Sequence, residues 1–262
     1  MTPPAVAIQI VNYDTREYLE RCLASVYRDL DDAGFLYEVN LLDNASGDEL
    51  GDLAGRYPGC AAETAPENLG FGGGHNLLAT RTDAERLLIL NPDTELVEPD
   101  TIARLLQRGR GGSGATVVGP KLLNPDGTAQ RWDHGRLHGL RAQISNRGGA
   151  SYWHESARGL DVAWVSGAAM LADRAAFTAV GGFDEQFFLY KEDEDLCLRL
   201  RLAGGAIAYE PSVAVRHYGS VVAGRGPALA QSEQYFIEKH FSDRRSQPLF
   251  AAVHRLLPYL RL

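Results

Sequence analysis

The 262-residue sequence has few cysteines, no long apolar run and no excess of positive charge. Its three cysteines, Cys22, Cys60 and Cys197, are few and odd in number, which favours a reducing compartment over a disulfide scaffold. No apolar run approaches the roughly 18–20 residues that a membrane-spanning helix needs. The first residues lack the basic and apolar regions of a signal peptide. We therefore expect a cytoplasmic protein.

The charge balance argues against nucleic acid as the main partner. The chain carries 26 Lys and Arg against 34 Asp and Glu, a formal net charge of -8, without a basic stripe. With 45% hydrophobic and 23% charged residues, its composition is that of an ordinary globular protein. The length suits one large α/β domain or two small ones. Since neither a repeat nor a low-complexity linker interrupts the sequence, one domain is the simpler prediction.

Strands and helices alternate in the first half of the sequence. Apolar runs predict strands over Ala5–Val11, Tyr37–Leu42, Cys60–Thr64 and Arg86–Leu90, and helical spacing follows the first strand and again from about His75. This alternation is typical of βαβ units and of a mainly parallel sheet. Because ligands bind at the carboxyl ends of such strands, the polar residues that follow them are candidates for a site.

The second half of the sequence is less regular. The pattern predicts a strand over Thr116–Leu123 and a helix over Glu192–Ala203. An apolar segment covers Val162–Leu171, with Ser166-Gly167 at its middle. Residues His134–Gly159 are polar and rich in Gly and Arg, which indicates a loop or an insertion.

Asn91-Pro92-Asp93-Thr94 follows an apolar strand and is the first candidate for chemistry. A carboxylate fixed there can hold Mg²⁺ or Mn²⁺, since hard cations prefer oxygen ligands. Asn-Pro-Asp is also ordinary turn chemistry, and on these four residues alone the turn is the favoured interpretation. His217 ends a short apolar alternation, and a lone histidine is more often structural than a ligand.

Residues 184–195 form an acidic segment with six carboxylates and one lysine. Acids in the first turn of a helix interact favourably with its dipole, which accounts for some of them. The dipole does not explain four consecutive acids, Glu192 to Asp195, beside so much apolar surface. Their mutual repulsion would raise the pKa of at least one carboxyl, as a general base can require.

A glycine-rich stretch, Glu67–Gly74, precedes the second helical pattern. It lacks the Gly-Lys-Ser/Thr ending of a P-loop, and His75 stands where a dinucleotide-binding motif needs its last glycine. A glycine-rich turn before a helix still lets a ligand approach the backbone closely. Each of these signals is weak when it is taken alone.

Taken in order, the motifs resemble the inverting glycosyltransferases of family 2, which have the GT-A fold. They are most similar to the rhamnosyltransferase-like and galactofuranosyltransferase-like branch, over roughly residues 5–220. The resemblance implies an α/β fold with a single nucleotide-binding, Rossmann-like domain, a mainly parallel central sheet and an acceptor-side extension. The motifs that carry it are Val11-Asn12-Tyr13, Leu42-Asp43-Asn44-Ala45-Ser46, Glu67-Asn68-Leu69-Gly70-Phe71-Gly72, Asn91-Pro92-Asp93, Ser166-Gly167-Ala168, Gly181-Gly182-Phe183-Asp184-Glu185, Glu192-Asp193-x-Asp195-Leu196 and His217.

The resemblance also suggests how the chain is divided. Residues 1–222 would form the glycosyltransferase domain, with a nucleotide-sugar-binding half at 1–110 and an acceptor and catalytic half at 111–222. Residues 223–262 would form a C-terminal helical tail, which is basic from Lys239 onward and ends in an apolar stretch. The tail either packs on the domain or on a second copy in a homodimer, or rests on the inner face of a membrane. Packing is the favoured alternative.

For the donor site, the resemblance implies roles position by position. Val11-Asn12-Tyr13 would line the nucleotide pocket, and Asp43 would accept a hydrogen bond from the imide of a pyrimidine. Asn68 and Gly70 would hold the loop near the ribose and the diphosphate. Ser166-Gly167 would complete the donor-binding set.

The resemblance likewise implies metal ligands and a base. Asp93 is similar to the metal-binding carboxylate of the DXD motif, whereas Asn91 replaces the first acid and would contact the donor without binding metal strongly. His217 would be a further ligand for Mg²⁺ or Mn²⁺. Asp193, in Glu192-Asp193, would be the general base, and Asp195 would orient or bind the acceptor.

The implied substrates are a pyrimidine nucleoside diphosphate sugar, with dTDP-rhamnose slightly ahead of UDP-sugars, and a glycan, lipid-linked or natural-product acceptor. Two other functions are weighed against this one. A sugar-1-phosphate nucleotidyltransferase needs a Gly-rich loop with Arg and Lys after the first strand, which residues 12–16 do not supply. A non-catalytic nucleotide-sugar-binding protein should lose the acidic motif, but Glu192-Asp193 and Asp93 are intact.

Overall fold

A central mixed sheet organises the protein. The computed structural model describes residues 2–110, 114–136, 156–219 and 227–241. The strands are β1 (Val6–Asn12), β2 (Tyr37–Asp43), β3 (Cys60–Thr64), β4 (Arg86–Leu90), β5 (Thr94–Leu96), β6 (Val117–Leu123), β7 (His134–Gly135), β8 (Leu160–Asp161), β9 (Trp164–Val165), β10 (Ala169–Asp173) and β11 (Ile207–His217). The helices are α1 (Arg16–Asp29), α2 (Gly51–Ala54), α3 (Gly70–Ala79), α4 (Thr101–Arg110), α5 (Arg174–Ala179), α6 (Glu192–Leu202) and α7 (Pro227–Phe241).

Within the described residues the main sheet has nine strands, in the order β3-β2-β1-β4-β10-β6-β11-β5, with β8 also paired to β11. Six strands (β1, β2, β3, β4, β6 and β11) run in one direction, and β5, β8 and β10 run in the other. The predicted mainly parallel sheet is therefore confirmed. β7 and β9 form a separate antiparallel pair.

Strand register brings the predicted site residues to one edge of the sheet. Asn12 pairs with Asp43 at the carboxyl ends of β1 and β2. Leu90, the last residue of β4, pairs with Ala169, the first residue of the antiparallel β10. His217, at the end of β11, lies beside Thr94 at the start of β5. The loops at this edge thus come together although they are far apart in sequence.

Two apolar layers cover the sheet, which explains why its central strands read as continuous apolar runs. On one face, Ile8 and Ile10 pack with residues of α1 and α4 such as Leu23. On the other face, Leu87 packs with residues of α5 and α6 such as Leu200. Burying one such side chain contributes about 1.5–3 kcal/mol, so these two layers supply the main stabilisation of the fold.

Helix α3 begins at Gly70, five residues before the helical pattern in the sequence suggests. Glycine is a weak helix former, but here its small size is what the packing requires. A Cβ at Gly74 would lie 2.8 Å from Val11 Cγ1, and one at Gly72 would lie 2.8 Å from Phe183 Cβ. The glycine-rich stretch is therefore a closely packed helix start. The predicted start at His75 was wrong.

The apolar segment at 162–171 is interrupted, as the turn-forming residues at its middle suggest. Ser166-Gly167-Ala168 separates β9 from β10. Of the polar region 134–159, the structure describes residues 134–136 and 156–159, and β7 lies in the first of these.

Of the predicted tail 223–262, the described part is α7, and residues 223–226 and 242–262 lie outside the described residues. The division at 222, the membrane contact and the homodimer stay predictions. Among the helices in the described ranges, none has the length and apolarity that crossing a bilayer needs.

The close approach at Gly70 generates a stability prediction. Gly70 has a φ of +72°, and a Cβ there would lie 2.6 Å from the backbone oxygen of Phe188. Gly59 has a φ of +71° with open space around it, so it is a matched control for the backbone conformation alone. We expect Gly59→Ala to cost about 1–2 kcal/mol of unfolding free energy and Gly70→Ala about 2–4 kcal/mol. Urea unfolding measures both values. Equal losses of unfolding free energy would show that the backbone at Phe188 moves away from the new Cβ at no cost.

Candidate active site

The side chain of Asn12 joins the loops that follow β1 and β2. It is fully buried, and its Nδ2 donates to Asp43 Oδ1 at 3.3 Å and to Asp48 Oδ2 at 2.9 Å. Its Oδ1 accepts from the hydroxyl of Thr15 at 2.8 Å. Asn12 therefore holds the wall of the predicted nucleotide pocket in place.

The neighbours of Asn12 on β1 differ in exposure. Val11 is buried and packs against α3, so it supports the loop edge from below. Tyr13 follows the strand and is 39% exposed, which leaves its ring available to a ligand. Of these two predicted pocket residues, only Tyr13 presents a large free surface.

Asp43 is only 1% exposed and lies beneath the loop that follows β2. One carboxylate oxygen accepts hydrogen bonds from Asn12 and from the hydroxyl of Ser46, and the other accepts from the backbone N–H of Gly47 at 3.3 Å. Ala45, within this loop, has a φ of 61°, a left-handed conformation uncommon outside glycine. In this structure Asp43 organises the loop, and its contact with a pyrimidine stays a prediction.

Asn44 links this loop to the start of α3. Its Nδ2 donates to Asn68 Oδ1 at 3.0 Å and to the carbonyl of Gly70 at 3.1 Å, while its Oδ1 accepts from the N–H of Leu69 at 2.9 Å. Asn68 Oδ1 also accepts from the N–H of Gly70 at 2.9 Å. Asn44 thus holds the loop that is predicted to lie near the ribose and diphosphate. No role was predicted for Asn44, although its position after a strand marks it as a candidate site residue.

Asp93 and His217 lie together, as the resemblance implied. Asp93 Oδ1 is 3.5 Å from His217 Nε2, and Asp93 Oδ2 accepts from the N–H of Gly219 at 2.9 Å. Asn91 Nδ2 lies 3.3 Å from the same His217 nitrogen. Asp93 is buried, and His217 is partly exposed. Pairing of β11 with β5 brings these residues into contact across a long stretch of sequence.

Gln130 orients the imidazole of His217. Its Oε1 lies 2.7 Å from His217 Nδ1, while its Nε2 faces Asn124 Oδ1 and the His217 carbonyl at 3.3 Å and 3.4 Å. These contacts identify the Gln130 oxygen as the acceptor, so Nδ1 carries the proton. Nε2 then presents its lone pair toward Asp93, which is the tautomer a metal ligand needs. No motif in the sequence indicates this role of Gln130.

The donor atoms present fit a divalent cation that also binds substrate. Within the described residues there is no cluster of three or more His, Cys, Asp or Glu side chains able to hold a metal by themselves. Asp93 Oδ1 and His217 Nε2 would supply two ligands. Mg²⁺ and Mn²⁺ prefer six, and the remaining positions suit diphosphate oxygens and water.

Asp193 lies in the first turn of α6 and is held by two backbone N–H groups. Its Oδ2 accepts from Gly167 at 2.9 Å and its Oδ1 from Glu194 at 2.7 Å. Burial raises the pKa of Asp193 above its usual range, although these two hydrogen bonds oppose the shift. The side chain remains partly exposed. It therefore combines a fixed position with greater basicity than an ordinary aspartate.

The turn that contacts Asp193 also contacts the segment Asn91-Pro92-Asp93. Ser166 is positioned by its backbone N–H, which donates to the carbonyl of Asp133 at 2.9 Å. The carbonyl of Ala168 accepts from the N–H of Asn91 at 2.9 Å. Residues 166–168 thus connect the Asp93 side of the site to Asp193.

The other three acids of the first turn of α6 have different surroundings. Glu194 is buried and pairs with Lys191 Nζ at 2.8 Å. Asp195 is fully buried and paired with Arg199 and with residues of α7, so the structure does not bring its carboxylate to the other site residues. Glu192 is buried, and its Oε2 has no hydrogen-bond partner among the described residues. Burial and the charge of Asp193 raise the pKa of Glu192 well above its ordinary value.

Comparison with known proteins gives the same class as the fold and the site. The sequence matches the family described as "Glycosyltransferase like family 2" over residues 3–236. It is 32% identical over 248 residues to the N-acetylglucosaminyl-diphospho-decaprenol L-rhamnosyltransferase of Mycobacterium tuberculosis, with 86% of this chain and 78% of that protein covered. The chain therefore belongs to glycosyltransferase family 2 and is a glycosyltransferase of the rhamnosyltransferase-like branch.

Solved structures confirm the GT-A fold. The chain is similar to GalNAc-T7 with UDP, GalNAc and Mn²⁺, with a TM-score of 0.68 and 16% identity over 90% of this chain. It spans about half, 48%, of that longer protein. It is also similar to the mannosyltransferase PcManGT of Pyrobaculum calidifontis in complex with GDP-Man and Mn²⁺, with a TM-score of 0.63 and 17% identity. That match covers 100% of this chain and 71% of the other.

The environment of Glu192 predicts a pH-dependent stability difference. A glutamate in an unfolded chain has a pKa of about 4.3. Burial raises the pKa of Glu192 in the folded protein, so the folded state binds the proton more tightly than the unfolded state does. The cost of ionising Glu192 should therefore grow as pH rises above about 4.3 and level off above the raised pKa. Glu192→Gln should therefore be more stable than the wild type at pH 8, and the difference should vanish near about pH 4. Urea unfolding of both proteins across this range measures it, and a constant difference would contradict the prediction.

Proposed function

We propose that this glycosyltransferase moves a sugar, with rhamnose as the first candidate, from a pyrimidine nucleoside diphosphate to an acceptor hydroxyl with inversion at the anomeric carbon. Asp193 is the general base, and Asp93 with His217 holds a divalent cation. The observation that carries the proposal is the turn 166–168, which contacts both Asp193 and the metal-binding motif. A proton acceptor and a cation site at one sheet edge are what this transfer requires.

The chemistry of Asp193 follows from its surroundings. An acceptor hydroxyl is a weak nucleophile until a base removes its proton as the new glycosidic bond forms. The two N–H groups fix the carboxylate and leave lone pairs on its oxygens for that proton. Because burial raises the pKa of Asp193, the group accepts a proton more readily than an ordinary aspartate.

The cation would neutralise the negative charge of the departing diphosphate. Asp93 would bind through Oδ1, since Oδ2 is engaged by the N–H of Gly219. His217 would bind through Nε2, since its Nδ1 is engaged by Gln130 Oε1. Asn91 donates toward the same nitrogen and would turn its amide to the donor when a cation is bound.

The relatives support the finer assignments. The M. tuberculosis relative is by its name an L-rhamnosyltransferase that acts on N-acetylglucosaminyl-diphospho-decaprenol, which supports rhamnose as the sugar and a lipid-linked acceptor. Such an acceptor would place the protein at the inner face of a membrane. The two solved neighbours contain nucleotides and Mn²⁺, which supports a nucleotide-sugar donor and favours Mn²⁺. No observation favours a nucleotidyltransferase or a non-catalytic binding protein. A thermal-shift panel of dTDP, UDP and GDP with Mn²⁺ tests the donor class.

Replacing the base should separate catalysis from binding. Asp193→Asn keeps the size of the side chain but removes the proton acceptor, so kcat should fall by about 10²–10⁴ while donor affinity stays near the wild-type value. Asp83→Asn, at an exposed aspartate, is the matched control and should leave both quantities unchanged. Release of nucleoside diphosphate measures kcat, and calorimetry with donor measures affinity. Near-normal turnover by Asp193→Asn would show that Asp193 is not the general base.

Metal dependence should respond to the residue that orients His217. Excess EDTA should abolish transfer, and added Mn²⁺ or Mg²⁺ should restore it. Gln130→Leu frees the imidazole to rotate, so the Mn²⁺ concentration for half-maximal activity should rise by about 10–100-fold. Gln231→Leu, at an exposed position of α7, is the control. An unchanged Mn²⁺ requirement in Gln130→Leu, or full activity in EDTA, would contradict the proposed metal site.

A further inference from the structure

Helix α7 contacts the acidic segment 184–195 at three separate points. At the start of the segment, Asp184 Oδ2 accepts from the hydroxyl of Tyr235 at 2.9 Å and from Lys239 Nζ at 2.7 Å. In the middle of the segment, the carbonyl of Leu189 accepts from the hydroxyl of Ser232 at 2.8 Å. At the end of the segment, Asp195 contacts the last turn of α7. The helix therefore spans the whole segment that leads to Asp193.

An apolar contact supports these polar ones. Phe187 and Phe236 are both buried, and the Phe187 ring lies 4.7 Å from the ring of Tyr235, centroid to centroid. Lys191 Nζ lies 6.0 Å from the centre of the Phe236 ring, within reach of a cation–π contact. The segment and α7 thus share a packed interface, and burial of the two phenylalanines makes it part of the folded protein.

Two of the three side chains whose nitrogen atoms contact Asp195 come from α7. Lys239 Nζ and His240 Nε2 each lie 2.6 Å from Asp195 Oδ1, while Arg199 Nε lies 2.7 Å from Oδ2. Burial opposes the charge of Asp195, but the hydrogen bonds from His240, Lys239 and Arg199 outweigh it and hold the pKa of Asp195 below its ordinary value. The first turn of α6 is therefore tied to α7 by a buried carboxylate that stays ionised.

The backbone between these contacts has an uncommon conformation. Tyr190 and Lys191 have φ values of 72° and 70°, two consecutive non-glycine residues in the left-handed region. Such residues persist only where the surrounding structure determines them. Here the Ser232 contact lies just before the pair and the Asp195 contact lies just after it. The direction in which α6 starts, and hence the place of Asp193, depends on both.

We infer that α7 is a positioning element of the active site, in which Ser232, Lys239 and Asp195 fix the start of α6 so that Asp193 faces the acceptor. This inference rests on the proposed role of Asp193 as the base. The three residues act through the backbone and do not contact reacting atoms. The role differs from the acceptor contact that the resemblance implied for Asp195, since its oxygens are engaged by Arg199 and α7.

Kinetics of matched variants test the inference. Lys239→Met removes one cation from both Asp184 and Asp195, and Ser232→Ala removes only the hydroxyl at Leu189 and is the milder change. We expect kcat per folded molecule to fall by about ten- to a hundredfold in Lys239→Met and less in Ser232→Ala, with donor affinity within about threefold of the wild type. Lys239→Arg should restore most of the rate. Glu238→Gln, an exposed neighbour on the same helix, should match the wild type.

A second measurement reports position without activity. Amide hydrogen exchange in peptides covering residues 166–170 and 189–197 should speed up in Lys239→Met and stay unchanged in Glu238→Gln, because the Gly167 N–H is bonded to Asp193. Unchanged kcat and exchange in folded Lys239→Met would overturn the inference, as would a loss of donor affinity equal to the loss of kcat. If the wild type transferred no sugar, the proposed function would fail, and faster exchange in Lys239→Met alone would still support the positioning role.

Discussion

The turn formed by residues 166–168 is the constraint on which the site depends. β10 runs antiparallel to β4 and begins beside its end, so this turn lies at the same edge as Asn91. One of its carbonyls accepts from Asn91, and one of its N–H groups donates to Asp193. A Cβ at Gly167 would lie 3.0 Å from the Phe71 ring, so a side chain there would require the ring to shift. The proposed cation site and the proposed base are therefore joined through one turn.

Much of the sheet could be predicted from the sequence. The strands at Cys60–Thr64 and Arg86–Leu90 agree with the apolar runs to the residue, and those at residues 6–12, 37–43 and 117–123 agree within one residue. The central strands β1 and β4 are buried on both faces and give continuous apolar runs, which is why their bounds could be predicted. The start of α3 could not be predicted, because glycine has a low intrinsic helix propensity. The close approach of Val11 and Phe183 nevertheless requires glycine at these positions. Tertiary packing overrode the local signal.

Some residues of the candidate site could likewise be predicted from the sequence, and others could not. Asp93, His217 and Asp193 could be named as candidates because each matches a motif in the order that the family resemblance implies, and the structure brings the first two together. Gln130 and the α7 partners of Asp195 could not be named. Their contacts join residues far apart in sequence, and no local spacing indicates them. Asp195 shows the limit most clearly, since the resemblance implied a contact with the acceptor, whereas its carboxylate contacts Arg199, Lys239 and His240.

The position of α7 in the chain has a consequence for the order of events during synthesis. The last strand of the main sheet ends at His217, so every strand that carries donor and cation ligands emerges before α7, which begins at Pro227. Because a ribosome releases the amino-terminal part of a chain first, these strands leave it before Ser232, Lys239 and His240 do. The sheet edge with Asn12, Asp43 and Asp93 is therefore present in the emerged chain before the helix that contacts Asp195.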